Sequence, residues 1–385
     1  MGWNVYYTLE NGEAVILRCT GDGEPLTFPA SVDGCPVTRL GPDCFGGGSE
    51  RVSGLRLIDA AGAGLPPASR EDSPLSRIEL PDTLRTIGDR AFARCRSLIR
   101  LQLPDRLEQL GVRVFDQCAS LLHVEVPDSV SEIPEYTFAN CRKLEWVRLP
   151  RMARSVGRYA FYNCVKLTGL ELPDGLEQVG SCLFMNCRSF HWLSAPHTIN
   201  LSVLLGELTG EIDLTVRFPD GRARFYLPDF AYEFEEVIMP RAFNTITYGS
   251  GQLYRECFSA KGIDFNLYES YFDTALLKDK TDITVRIAWY RLRWPYQLGR
   301  QEVYLNHLLE HLDLLMKMLM EGEGGDEGEQ ELEGLERLLR LTRLTPQQLS
   351  ALSAQAERAG KVRFVGRLME AGMGLAGGVD KEFDL

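Results

Sequence analysis

The sequence lacks any run approaching the roughly 18 apolar residues that a membrane-spanning helix requires, so no span is expected. Its opening, MGWNVYYTLENGEAV, has neither a basic segment nor an apolar one behind it, which argues against a cleaved secretory leader. Tyr6 stands where a myristoylation signal needs Ser or Thr. Basic charge is in deficit: 42 Lys and Arg face 54 Asp and Glu, a net charge of -12. That balance disfavours nucleic acid or an anionic membrane as the principal partner. There is no Cys-x-x-Cys pair, no Cys/His set at zinc spacing, no phosphate-cradling glycine loop and no nucleophile–base constellation. The chain is expected to be cytoplasmic, with no cofactor.

What is present is a period. Phe92/Cys95, Phe115/Cys118, Phe138/Cys141, Phe161/Cys164 and Phe184/Cys187 recur at a constant offset of about 23 residues. Pro81, Pro104, Pro127, Pro150, Pro173 and Pro196 keep the same step. A fixed period of this length means a solenoid, in which each repeat is one coil stacked on its neighbours. In one copy, Leu98, Leu101 and Leu103 spell L-x-x-L-x-L, and alternation puts Leu101 and Leu103 on one face of a short strand that Pro104 ends. Leu107 and Leu110 follow, then Gly111 at a bend, then Phe115 and Cys118. Equivalent positions stay apolar: Leu75, Leu121, Leu144, Leu167 and Phe190 match Leu98, while Ile78, Val124, Val147, Leu170 and Leu193 match Leu101.

The copy LSRIELPDTLRTIGDRAFARC, Leu75 to Cys95, resembles the BspA-like, treponemal type of leucine-rich repeat. The stretch FPASVDGCPVTRLGPDCF resembles the entry to such arrays, and Ala60 to Asp72 would be a degenerate coil between that entry and the regular ones. The resemblance covers about residues 1–200 and implies a bacterial repeat protein. The fold class expected is therefore α+β: a leucine-rich-repeat solenoid of 23-residue coils, a capping β-hairpin, and a C-terminal α-helical region. Domain boundaries are expected at 1–200 for the repeats, 201–275 for the hairpin and a mixed segment, and 276–385 for the helices.

Ten cysteines would ordinarily raise the question of disulfides, and stacked coils bring neighbouring Cα atoms within bridging range. Side chains in register point the same way, however, and five of these cysteines share one column. They read as free thiols that act as small buried apolar groups in a reducing compartment.

Beyond Pro196 the register fades. Thr215–Phe218 and Arg222–Tyr226 alternate around Pro219-Asp220-Gly221, a hairpin signal, and covering the open end of the solenoid is its simplest role. Residues 229–275 are rich in Phe and Tyr and read as helix and loop. From Asp282 the pattern is helical, broken at Pro295, with a long helix expected over Glu302–Met320 and an exposed acidic connection over Glu321–Glu333. Thr345-Pro346-Gln347-Gln348 is a capping box that starts a helix ending near Gly360. The following GKVRFVGRLMEAG resembles the second helix of an ankyrin repeat, although the first-helix signature is missing.

Three constellations could carry function. His307, Glu310 and His311 form H-x-x-E-H, the inverted zinc-protease motif. Without a visible third ligand, they read instead as the exposed face of a leucine-rich helix. Arg286, Arg291, Arg293 and Arg300 mingle with Trp289, Tyr290, Trp294 and Tyr296, a mixture that can grip single strands but here falls at helical spacing and reads as packing. The third lies on the repeat strands, on either side of the inward Leu101-type position. One outward column holds Arg77, Arg100, His123, Trp146, Gly169 and Trp192; the other holds Glu79, Gln102, Glu125, Arg148, Glu171 and Ser194. Arg100, His123, Trp146, Arg148 and Trp192 are the expected binding residues, with a gap over Gly169. The function expected is non-enzymatic: a scaffold that binds a protein or peptide along the repeat surface. The alternatives are a surface adhesin, as the resemblance implies, and an enzyme hosted in the C-terminal half.

Overall fold

The structure is a computed structural model that describes residues 2–21, 25–46, 56–59, 65–66, 72–236, 243–321 and 326–376. The chain divides into two compact units. The first comprises Met1–Pro219, Asp229–Ala231 and Gly251–Ile263; the second comprises Asp220–Pro228, Tyr232–Ser250 and Asp264–Leu385. Most of the degenerate coil expected over Ala60 to Asp72 lies outside the described residues.

The first unit is a stack of coils, each regular one carrying two short strands that pair in parallel with those of its neighbours, rather than the single strand expected. One ladder runs through Leu26–Thr27, Arg77–Glu79, Arg100–Leu101, His123–Glu125 and Trp146–Arg148, then through Gly169–Glu171 and Trp192–Pro196. The other holds Cys35–Leu40, Thr86–Ile87 and Gln109–Leu110, then Glu132–Ile133, Ser155–Val156 and Gln178–Val179. A two-residue strand leaves no alternation to read, which is why the second ladder was not legible. Between the strands each repeated proline closes a turn: the Pro81, Pro104 and Pro127 carbonyls accept from Leu84, Leu107 and Val130 at 3.0–3.1 Å.

Coils bond to one another outside the strands as well. Arg113, Phe115 and Gln117 donate backbone N–H groups to the carbonyls of Glu135, Thr137 and Ala139 in the next coil, at 2.8–3.0 Å. The repeated Phe side chains lie buried inside this frame. Their rings stack along the axis, with centroids 5.5 Å apart for Phe92–Phe115 and 5.4 Å for both Phe115–Phe138 and Phe138–Phe161. A coil repeat close to the strand spacing matches the separation at which offset rings attract.

The cysteine column does more than fill space. The thiols of Cys118, Cys141, Cys164 and Cys187 donate to the carbonyls of Phe92, Phe115, Phe138 and Phe161, each at 3.1 Å. Burial pushes these thiols well above the ordinary range, to about 12 for Cys187, so they stay protonated and donate. Gly111, read from sequence as a bend, is required by close approach. A Cβ there would lie 2.4 Å from the Asp89 nitrogen, and one at Gly180 would lie 2.2 Å from the Arg158 nitrogen.

The last coil has no successor to accept its N–H groups. Glu207 takes that place: its carboxylate accepts from the backbone nitrogens of Cys182 and Phe184. Arg255 closes the same end, donating to the Leu208 and Gly210 carbonyls with Phe230 against its guanidinium face. Both arms of the expected hairpin form strands, Ile212–Phe218 and Gly221–Leu227. The first arm runs parallel to Trp192–Pro196, pairing Leu214 with Leu193, and so adds a rung to the repeat sheet.

Residues 229–275 contain more strand than expected. Ala231–Glu236 pairs with Phe243–Tyr248, and Phe258–Ser259 pairs with Gly262–Ile263. The period of two in Tyr232 and Phe234 was the overlooked signal.

In the second unit the helix Thr281–Arg293 packs on the strand Gly221–Leu227. Pro295 lies just beyond the helix end. The long helix expected over Glu302–Met320 breaks at His311 (φ -123°, ψ 34°) into Gln301–Glu310 and Leu312–Glu321. The acidic stretch expected as a connection is largely helical, since Asp326–Leu341 begins inside it. The Thr345 capping box is present: Gln348 N–H donates to the Thr345 hydroxyl at 3.2 Å, and Thr345 N–H to the Gln348 side chain at 2.8 Å. Pro346–Arg358 ends before Gly360 (φ 69°) and packs against Val362–Ala376 as a helical hairpin.

Candidate binding surface

The strand ladder sets the surface. Ile78, Leu101, Val124, Val147 and Leu170 point inward, so the side chains on either side of them leave the core. Arg77, Arg100, His123 and Trp146 are register partners on adjacent strands and form one continuous column. The His123 imidazole stacks on the Trp146 indole with centroids 5.1 Å apart and planes 23° from parallel. Trp146 remains 40% exposed, a large aromatic standing on an otherwise polar face. His123 Nδ1 is buried without a hydrogen-bond partner among the described residues.

The gap expected over Gly169 is filled. Trp192 lies across the glycine so closely that a Cβ there would sit 2.2 Å from the indole. Glycine at this position seats the neighbouring ring flat against the sheet, and Trp192 is half-buried as a result. Trp146 and Trp192 thus make separate arrangements: one stacked on a histidine and exposed, the other laid over backbone.

Residues of the second column are engaged in ion pairs. Arg148 meets Glu125 and Asp128, both at 3.3 Å, and Arg77 meets Glu79 at 3.3 Å. The Asp128 carboxyl is held below its ordinary range, chiefly by the Arg151 N–H at 2.9 Å and further by Arg148. Arg217 reaches from the added rung to Asp174 at 2.7 Å, to Glu171 at 3.5 Å, and to the Ser194 hydroxyl. Arg100 differs: its side chain is exposed and makes no ion pair or hydrogen bond with the described residues. Of the five expected binding residues, Arg100, His123 and Trp146 stand together with free valence. Arg148 is engaged by two carboxylates, and Trp192 is turned to packing.

A second, half-buried strip was not foreseen. At the left-handed position that recurs at Arg90, Arg113, Tyr136, Tyr159 and Cys182, the Arg113 guanidinium lies 3.9 Å over Tyr136. Tyr136 in turn stacks on Tyr159 at 4.8 Å. The 23-residue step linking these residues was the available signal.

The basic and aromatic residues of the second unit are not arrayed as a surface. Trp289 and Arg291 are fully buried, and Arg291 pairs with Glu269 at 2.8 Å. Arg300 pairs with Asp273 through both terminal nitrogens, at 2.9 and 3.0 Å. In the H-x-x-E-H motif, His307 is buried rather than on the exposed helix face expected. Its Nε2 lies 2.9 Å from the Thr284 hydroxyl, and burial lowers its pKa.

Six copies of the BspA type leucine rich repeat region match residues 69–191. Those residues are a BspA-type leucine-rich repeat region. Repeat proteins of this kind are generally interaction or surface proteins and typically non-enzymatic. Among solved structures, the chain is similar to a leucine-rich repeat protein of T. pallidum, with 29% identity over 48% of this chain and 86% of that one, and a TM-score of 0.37. It is also similar to a leucine-rich cell surface protein of Faecalibacterium prausnitzii, with 19% identity over 58% of each chain and a TM-score of 0.40. A leucine-rich repeat protein of Bacteroides ovatus shows 19% identity over 56% of this chain and 75% of its own, with a TM-score of 0.27. A comparison with curated proteins finds no match.

Proposed function

We propose that this BspA-type protein is a non-enzymatic scaffold that binds a protein or peptide on its repeat strands, centred on Arg100, His123 and Trp146. The observation that carries the reading is the exposed His123–Trp146 stack beside an arginine with no carboxylate of its own. Tryptophan and arginine are the side chains that most often dominate interface energetics, because each combines large contact area with a directional polar group. An uncompensated guanidinium beside an indole suits a segment that offers a carboxylate next to an apolar side chain. Affinity capture from the native cell with the wild-type chain, Trp146→Ala and Arg100→Glu in parallel tests this. A genuine partner is lost or weakened by about 2 kcal/mol or more in each variant; capture that is equal in all three removes the strand surface from the reading.

The same reading places the chain in the cytoplasm, in keeping with a thiol column committed to hydrogen bonding between the coils. Thiol titration of unfolded, unreduced protein then finds all ten cysteines free. A substantially lower count sinks the assignment.

A further inference from the structure

We infer that His307, Glu310 and His311 form a binding site for a divalent transition-metal ion of the zinc class. One donor atom from each of the three side chains lies within 4.8 Å of the others. The helix break makes this cluster. Because Gln301–Glu310 ends before His311, the His311 ring turns its edge onto His307, with centroids 4.7 Å apart and planes at 69°.

His307 is the fixed member. Phe272 packs edge-on against its ring at 5.4 Å, and Nε2 lies 2.9 Å from the Thr284 hydroxyl. That hydroxyl has one proton, which it donates to the Thr281 carbonyl at 3.0 Å. It therefore accepts from His307, so the ring carries its proton on Nε2 and leaves the Nδ1 lone pair unused. A hydroxyl or carbonyl that fixes the tautomer of a ligating histidine from behind is the usual support of a metal-binding imidazole. Glu310 and His311 complete the set, and neither side chain makes an ion pair or hydrogen bond with another described residue. Glu310 is exposed and His311 half-buried, so both can close toward the anchored ring.

Metal–ligand bonds of about 2.0–2.2 Å require the donor atoms to approach one another by roughly an ångström or more from their present limits. Two imidazoles and one carboxylate select Zn²⁺ or Co²⁺ over Mg²⁺ and Ca²⁺, and three protein ligands leave a coordination position for water. The bound ion would tie the end of one helix to the residue that precedes the next.

The full-length chain, stripped with chelator, is titrated with Co²⁺ and then with Zn²⁺ in competition. Visible d–d absorption that saturates at a single equivalent is expected, together with a rise in Tm. His311→Ala and Glu310→Gln should each weaken binding at least about tenfold, and Thr284→Val should do so by about 10–100-fold as a positioning change, with circular dichroism unaltered. Absence of saturable uptake overturns the site. So does uptake undiminished in His311→Ala, or a thiolate-to-metal charge-transfer band, which would assign the ion to cysteine.

Discussion

The two units satisfy their interior polar groups in different ways. In the repeat unit each coil passes its backbone N–H groups to the carbonyls of the next, and its interior columns repeat one residue type, Phe or Cys. The helical unit instead buries an ion pair. Arg291 and Glu269 lie fully buried at 2.8 Å, with Phe225 and Phe265 over the guanidinium at 5.2 and 5.4 Å. Glu269 also accepts from the backbone nitrogens of Gly299 and Arg300, at 2.9 and 2.7 Å. Repetition divides the stabilising work among equivalent contacts. A buried pair concentrates it, because each charge depends on the other and on the few dipoles around it.

The contrast can be broken by substitution. Phe138→Ala removes a buried ring with a stacked neighbour on either side and should cost about 3–5 kcal/mol. Denaturant titration checks this, and an unchanged midpoint would show that the column is not core. Glu269→Ala leaves Arg291 charged and buried without its partner, for a loss of about 3–5 kcal/mol. If Glu269→Ala is nearly silent, the ion pair is not the hub of its unit. Glu207→Ala strips the acceptor from two N–H groups at the end of the solenoid and should cost roughly 1–3 kcal/mol. Hydrogen exchange should show the loss concentrated at Cys182 and Phe184; protection lost evenly along the repeats would mean that the end coil does not open alone. Trp146→Ala should change stability by less than about 0.5 kcal/mol, because the indole is exposed rather than packed in the core. A large drop in Tm would return Trp146 to the core.

Much of the repeat unit was legible because a 23-residue step places the same residue in the same environment each time. Phe115, Phe138 and Phe161 announce one another, as do Cys118, Cys141 and Cys164. The outward columns followed from the same arithmetic, and Arg100, His123 and Trp146 emerged as neighbours. Periodicity could not show that Trp192 folds over Gly169, since that depends on the space a missing Cβ leaves. Nor could it show that Arg148 is engaged by Glu125 and Asp128 while Arg100 is not. The Glu207 cap was invisible for a related reason: it occurs once, at an end, where a repeat has nothing to repeat. In the helical unit the Thr345 capping box was readable, being a bond within four residues of chain. The break at His311 was not, because the local pattern of leucines continues straight through it.

The sequence by itself determined the coil, its stacking and the residues that face outward, because each follows from local alternation multiplied by a fixed period. The folded chain alone settles which outward side chains are free, which glycine seats an indole, and which histidine is buried against the hydroxyl of a threonine 23 residues away. Those outcomes rest on contacts between residues distant in the chain. Their energies depend on shared space and on hydrogen-bond partners, and neither is encoded in spacing.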